Sequence, residues 1–209
     1  MLDFKTIAKD SIFSYCVACF IALVLEVPLY VLTNYLQLSS TMHMLCAIVL
    51  WAICIFFITW KAKKMLGFEP WSVSTQPTTQ NLTYSIMVCA IFMMFSNLLF
   101  GGSRIILFLK GASIFETLVY ALYQICEVGL VVMLLVFSQK LFEKQTNDAS
   151  KPYGIFFTCV AWAFLYLITN GIIGSMYFAC MGLSMGVVYM LVRKNPKYTL
   201  LLTILMMLF

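Results

Sequence analysis

Glu127 stands inside the run YQICEVGLVVML and Glu26 inside ALVLEVPLYV, two carboxylates set among residues that otherwise read as lipid solvent. A carboxylate at such depth is costly. It turns toward a protein interior or a watery cavity, where it serves as an acid, a base or a partner for a ligand. Glu116, about one turn inside the outer end of the same apolar segment as Glu127, begins a series with Tyr120, Tyr123, Gln124 and Glu127. The steps of 4, 3, 1 and 3 place all five on one helical face. That stripe, with Glu26, is the candidate polar cavity. The alternative is structural: a neutral Glu127 hydrogen-bonded to a neighbouring helix, and a Glu26 that bonds backbone freed by a kink at Pro28.

Other constellations fall short of a catalytic set. The lone His43 and Cys46 share a helical face, but TMHMLC lacks the glycine and arginine signals of membrane-embedded cysteine peptidases, so an interfacial histidine is expected. GLSMG, Gly182 to Gly186, has the letters of a nucleophile elbow around Ser184. An elbow needs a strand-to-helix turn, and an intramembrane serine needs a histidine on a facing helix. Gly182 and Gly186, extended by Ala179, read instead as a small-residue face for close helix packing. CVAC, Cys16 to Cys19, has redox spacing, yet all eight cysteines lie in apolar segments and are expected to be small hydrophobes. Asp3, Asp10 and Asp148 lie outside the apolar runs, which removes an aspartyl dyad. No metal-ligand set is spaced for binding, and no catalytic residues, metal or cofactor are assigned.

The elements that position these residues follow from hydropathy. Of the 209 residues, 63% are hydrophobic and 10% charged, with a mean hydropathy of +0.99, so the chain reads as a polytopic membrane protein of the cell membrane. Each span needs roughly 20 helical residues to cross a bilayer core of about 30 Å. On that ruler an all-α transmembrane bundle is expected, with spans near 12–36, 43–63, 82–100, 114–138, 153–169 and 172–192 and a short seventh at 198–209. The first ten residues run into the first span without a cleavage signal, so that span is expected to be retained. Residues 1–209 form a single membrane domain, since no polar segment is long enough to bury a core.

With the N-terminus cytoplasmic, eleven of the thirteen Lys and Arg residues fall on the inner side, and only Arg104 and Lys110 fall outside. The net charge of +5 is explained by these membrane-flanking groups, and no nucleic-acid partner is implied. The turns TNG (Thr169 to Gly171) and GGSR (Gly101 to Arg104) are expected to be very tight.

In layout, residues 114–209 resemble the CPBP family, which groups CAAX prenyl endopeptidases with bacteriocin-processing and abortive-infection membrane proteins. The resemblance rests on CEVGLVVMLLVFSQKLFEK, then AWAFLYLITNG, then GLSMGVVYMLVRKN, then a final apolar helix. In that family these pieces carry Glu-Glu-x-x-x-Arg, Phe-x-x-x-His, a Gly-x-x-x-Gly helix ending in Tyr, and a terminal helix with His. Here Cys126 or Val128 replaces the second acid, and Val131 or Val132 the arginine. Phe164 is kept, but Ile168 and Thr203 stand where histidines would be. The resemblance therefore implies a degenerate member whose glutamate and histidine machinery cannot activate water.

What it implies is a non-proteolytic scaffold, a regulator, or a bacteriocin self-immunity protein that binds another membrane protein. The size and the polar stripe also fit a solute-binding membrane subunit of the energy-coupling-factor type. An active intramembrane CAAX-type peptidase is the third alternative. Expected partners are the lipid bilayer and either a membrane protein or a small solute.

Overall fold

The computed structural model describes the backbone of residues 4–72, 75–101, 106, 108 and 110–209, with side chains from residue 12 onward within that set. Arg104, the GGSR turn beyond Gly101, and the side chains of Lys5, Lys9 and Asp10 lie outside the described residues, as does Asp3.

Apolar helices with polar caps build the molecule. α1 (Phe4–Val24) and α2 (Glu26–Tyr35) form one bent rod. Pro28 lacks the N–H that would bond the carbonyl four residues earlier, and the helix breaks at Leu25. α3 (Ser40–Leu66) starts where the Ser39 hydroxyl accepts from the Met42 N–H at 3.3 Å and stops at left-handed Gly67. α4 (Thr79–Phe100) has the same grammar, with Thr78 at its start and Gly101 at its end.

α5 (Ile114–Thr146) opens with a capping box, Ser113 with Glu116, and closes on left-handed Asn147. Its 33 residues span about 50 Å at ~1.5 Å per residue, well past the expected end at residue 138. The extra turns carry Gln139, Lys140, Glu143 and Lys144, a polar exit beyond the apolar layer. α5 is also the centre of the bundle, because α1, α3, α6 and α7 all pack on it. Val128 and every residue from Leu130 to Phe137 are buried, and a helix apolar on all sides must be enclosed. In its most apolar window 67% of residues are buried, against 17–39% in the other long helices, whose outer faces are left for lipid.

α6 (Tyr153–Leu191) is two helices joined without a loop. Gly171, at φ 70° and ψ −166°, takes a conformation that only glycine adopts readily, and the chain doubles back there. The antiparallel pairing is visible in contacts whose positions mirror about the turn. A Cβ on Gly186 would meet Ile155, one on Gly182 would lie 3.0 Å from Cys159 Cα, and Trp162 packs on Phe178 at 5.1 Å. α7 (Pro196–Leu208) is short, capped by Asn195 and started by its proline. Among the described residues, five helical stretches are long and apolar enough to cross a membrane by length and composition, the folded-back α6 counted as one.

The basic end of the bundle is tied together by polar contacts. Lys194, at φ 60°, donates to Glu143 and to the Ala149 carbonyl, and Thr75 and Asn195 tie the neighbouring loop to the turn after α6. Gln139 reaches from α5 to the start of α6, where its Oε1 accepts from Gly154 N–H at 3.1 Å and its Nε2 donates to the Lys151 carbonyl at 2.8 Å. A side chain of one helix thus satisfies an orphan donor of the next.

Candidate functional site

At the opposite end of the bundle the helices part around a polar cleft of about 280 Å³. α2 and α3 contribute Glu26, Tyr30 and His43, and α5 contributes Tyr120, Tyr123 and Gln124. The α6 hairpin closes the far wall with Tyr166, Thr169, Asn170 and Phe178.

One half of the site is organised by Glu26. Its Oε1 accepts a short hydrogen bond from the Tyr123 hydroxyl and lies 3.8 Å from His43 Nε2. The Thr33 hydroxyl, already donating to the Tyr30 carbonyl, lies 3.1 Å from His43 Nδ1, which turns the other ring nitrogen toward Glu26. Glu26 and His43 side chains are each 14% exposed, so the pair faces the cleft. The Trp51 indole backs it, donating to the Ala22 carbonyl at 3.0 Å and packing on the Tyr123 ring.

The other half is organised by Glu127, which is fully buried at the floor. Its Oε1 accepts from Trp162 Nε1 at 3.0 Å and from the Tyr166 hydroxyl at 2.6 Å. Trp162 and Tyr166 are four residues apart on one face of the first limb of α6, so both donors converge on one oxygen. The Tyr166 ring stacks on Phe178 of the second limb, which fixes the hydroxyl from behind. Between the two carboxylates Gln124 is 4% exposed, lines the cleft, and has no hydrogen-bond partner for Oε1 among the described residues. A buried amide oxygen without a donor costs about 1–3 kcal/mol, which a bound donor would recover.

Of the stripe residues, Tyr120, Tyr123 and Gln124 line the cleft and Glu127 lies beneath it. Glu116 does not join them. Its carboxylate accepts from the Ser113 N–H at 2.7 Å and from its hydroxyl at 2.9 Å, and Thr41 donates to it at 3.5 Å, so it closes the start of α5. Glu26 bonds Tyr123 rather than backbone released by the Pro28 kink. His43, in the first turn of α3, is a wall of the cleft that the stripe on α5 does not reveal. Thr33 and His43 stand five residues either side of Leu38, so folding the first two apolar runs into a hairpin already pairs them. Tyr166 was also not singled out, although an indole N–H and a phenol O–H four residues apart in an apolar run both demand buried acceptors.

Ala179, Gly182 and Gly186 lie inside the hairpin. The Ala179 carbonyl accepts from Cys159 Sγ at 3.2 Å, and the two glycines pack against Cys159 and Ile155. All eight cysteines are free thiols. Phe164 and Ile168 are 52% and 57% exposed, on the side of α6 away from Glu127, whereas Thr203 is buried in α7. Among the described residues no group of three His, Cys, Asp or Glu side chains is placed to hold a metal ion. The site can accept hydrogen bonds and present aromatic rings. No protein-family model, curated protein or solved structure matches the chain.

Proposed function

We propose that this multi-pass membrane protein binds a small polar solute in the cleft and carries out no proteolysis, as the solute-binding subunit of a transporter would. The observation that carries the reading is Gln124, whose side chain lines the cleft while its buried Oε1 has no hydrogen-bond partner among the described residues. Buried amides are ordinarily satisfied, and one that is not, beside open volume, is a receptor for a ligand's donor. In this reading the folded-back α6 supplies two crossings, giving six full spans and the short α7. The N-terminus is cytoplasmic by the distribution of Lys and Arg, and the cleft opens on the outer side.

A peptidase fits less well. Water activation requires solvent at a poised base, whereas Glu127 is fully buried, with Oε1 held by two donors. The scaffold or self-immunity role has less support, since the exposed faces are apolar in the way any lipid-facing helix is.

Descent from a CPBP-like ancestor is retained as a second proposal on one observation: Glu127 reaches from the central helix to the next helix of the layout. In that case Tyr166, not Ile168, occupies the place facing the glutamate.

Native mass spectrometry of the chain released from detergent tests the binding reading. A small non-covalent adduct on the wild type, lost in Gln124→Leu, is the expected result. Bare protein accompanied by a stoichiometric membrane partner, or peptide cleavage abolished by Glu127→Gln, would overturn it.

A further inference from the structure

We infer that the cleft is built for an organic ammonium ion, a small amine whose N–H groups bond Glu26 and Gln124 while its hydrocarbon body lies on tyrosine rings. The inference rests on the solute-binding reading above and names the class of solute. Four features lead to it.

The first is charge. Neither Lys nor Arg is among the described residues that line the cleft, and its one basic side chain, His43, faces Glu26 at 3.8 Å. An anion entering this low-dielectric space would meet the Glu26 carboxylate, with His43 the one lining side chain among the described residues able to offset it. A cation would meet the reverse.

The second is the polarity of the vacant hydrogen-bonding positions. Both contacts to Glu26, from Tyr123 and His43, fall on Oε1, and Oε2 has no partner among the described residues. Gln124 Oε1 is likewise an acceptor without a donor. Both side chains line the cleft, and two acceptors without donors there call for a ligand that brings donors. A carboxylate or a phosphate dianion brings none, and an ammonium group brings up to three.

The third is the aromatic lining. Tyr30, Tyr120, Tyr123 and Tyr166 present rings around the carboxylate, with Phe178 behind. Ring faces are negative, so cations within about 6 Å of a ring centroid are attracted, and more strongly when desolvated. The hydroxyls of two of these residues are occupied, Tyr123 on Glu26 and Tyr166 on Glu127, while one face of Tyr120 stacks on Phe108 at 4.5 Å and one face of Tyr166 on Phe178. These bonds lock the rings in place before a ligand arrives.

The fourth is size. The cleft of about 280 Å³ lies below the roughly 300–1,000 Å³ usual for small-molecule sites. It holds on the order of nine water volumes, which limits a ligand to about ten non-hydrogen atoms.

Isothermal titration calorimetry on the purified full chain in detergent micelles tests this with three probes of one shape: cyclohexylammonium, cyclohexanol and cyclohexanecarboxylate. The expected result is that the ammonium binds about tenfold or more tightly than either of the others. Glu26→Gln and Gln124→Leu should each weaken it by a factor on that order, the loss of one hydrogen bond to a charged group. Thermal unfolding of each variant verifies that it is folded, and the two substitutions act at independent positions, so failure of one to fold leaves the other decisive. Carboxylate or alcohol binding as tight as the ammonium would overturn the cation inference while leaving a solute cleft in place. Ammonium binding unchanged in the folded variants would overturn it as well, by locating the ligand elsewhere. Absence of binding by all three probes would sink both the ammonium inference and the solute-binding reading.

Discussion

The bond from Tyr166 to Glu127 should be measurable as a coupling between two helices. Tyr166→Phe removes one hydroxyl from a side chain that is 8% exposed and leaves the ring stacked on Phe178. The deleted oxygen lies 2.6 Å from Glu127 Oε1, at the short end of O–H···O distances, and its partner is fully buried. In soluble proteins a hydrogen bond to a charged group contributes about 1.5–3 kcal/mol. Between membrane helices the average is nearer ~0.6 kcal/mol and the largest values about 1.7, because the dissociated helices find other partners. The geometry here places this bond at the upper end of the membrane range, about 1–2 kcal/mol. A double-mutant cycle of Tyr166→Phe with Glu127→Leu, followed by intrinsic fluorescence during titration with SDS in mixed micelles, isolates that figure from the loss of the Trp162 bond. Trp51 and Trp162 are fully buried, so the signal reports the core directly. A coupling within about 0.3 kcal/mol of zero, the error of simple additivity, would refute the claim that Glu127 anchors α6 to α5.

Close packing yields a second expectation. A Cβ on Gly154 would stand 2.3 Å from Gln139 backbone N, which cannot swing aside, so Gly154→Ala should lower stability by about 1–3 kcal/mol in the same assay. Gly111→Ala, where nothing lies within 4 Å, should change little; equal effects of the two substitutions would contradict the packing described for α5 and α6. A third concerns the turn after α5. There the Asp148 carboxylate accepts from Ser150 N–H at 2.9 Å and Ser150 O–H at 2.6 Å beside Lys151, which together hold its carboxyl below the ordinary range. The order this adds to the turn is fully present above the unfolded carboxyl value of about 3.9 and is lost as pH falls through the lowered folded value. The Ser150 amide proton shift should therefore titrate with a midpoint below ~3.9 and become flat in Asp148→Asn, and a midpoint above that value would be inconsistent with the bonds.

Hydropathy carried most of the helical layout, since apolar runs of bilayer length have one way to satisfy their backbones in lipid. The tight reversal at Gly171 was legible too, because a glycine after Asn170 between two apolar runs leaves few conformations for the chain. Length was harder. α5 runs on to Thr146, since Gln139, Lys140, Glu143 and Lys144 are good helix formers outside lipid and hydropathy stops counting them. The helical stripe on α5 brought together Tyr120, Tyr123, Gln124 and Glu127, but periodicity describes one helix at a time. It is silent on what faces the stripe. His43 and Tyr166 come from α3 and α6, and their places depend on how the helices are rotated against one another. Glu116 shows the converse: it has the correct angular position, yet a nearer demand, the unsatisfied N–H groups at the start of α5, claims it.

The arrangement of the cleft has a consequence for biosynthesis. Glu26, Thr33 and His43 come from the hairpin of α2 and α3, whereas Tyr123, which completes Glu26, is made 97 residues after that glutamate. Until then, the polar neighbours of Glu26 within its own hairpin are His43 and, through it, Thr33. His43, 3.8 Å from Glu26 and only seventeen residues on, is thus a partner already translated when α5 has still to be made.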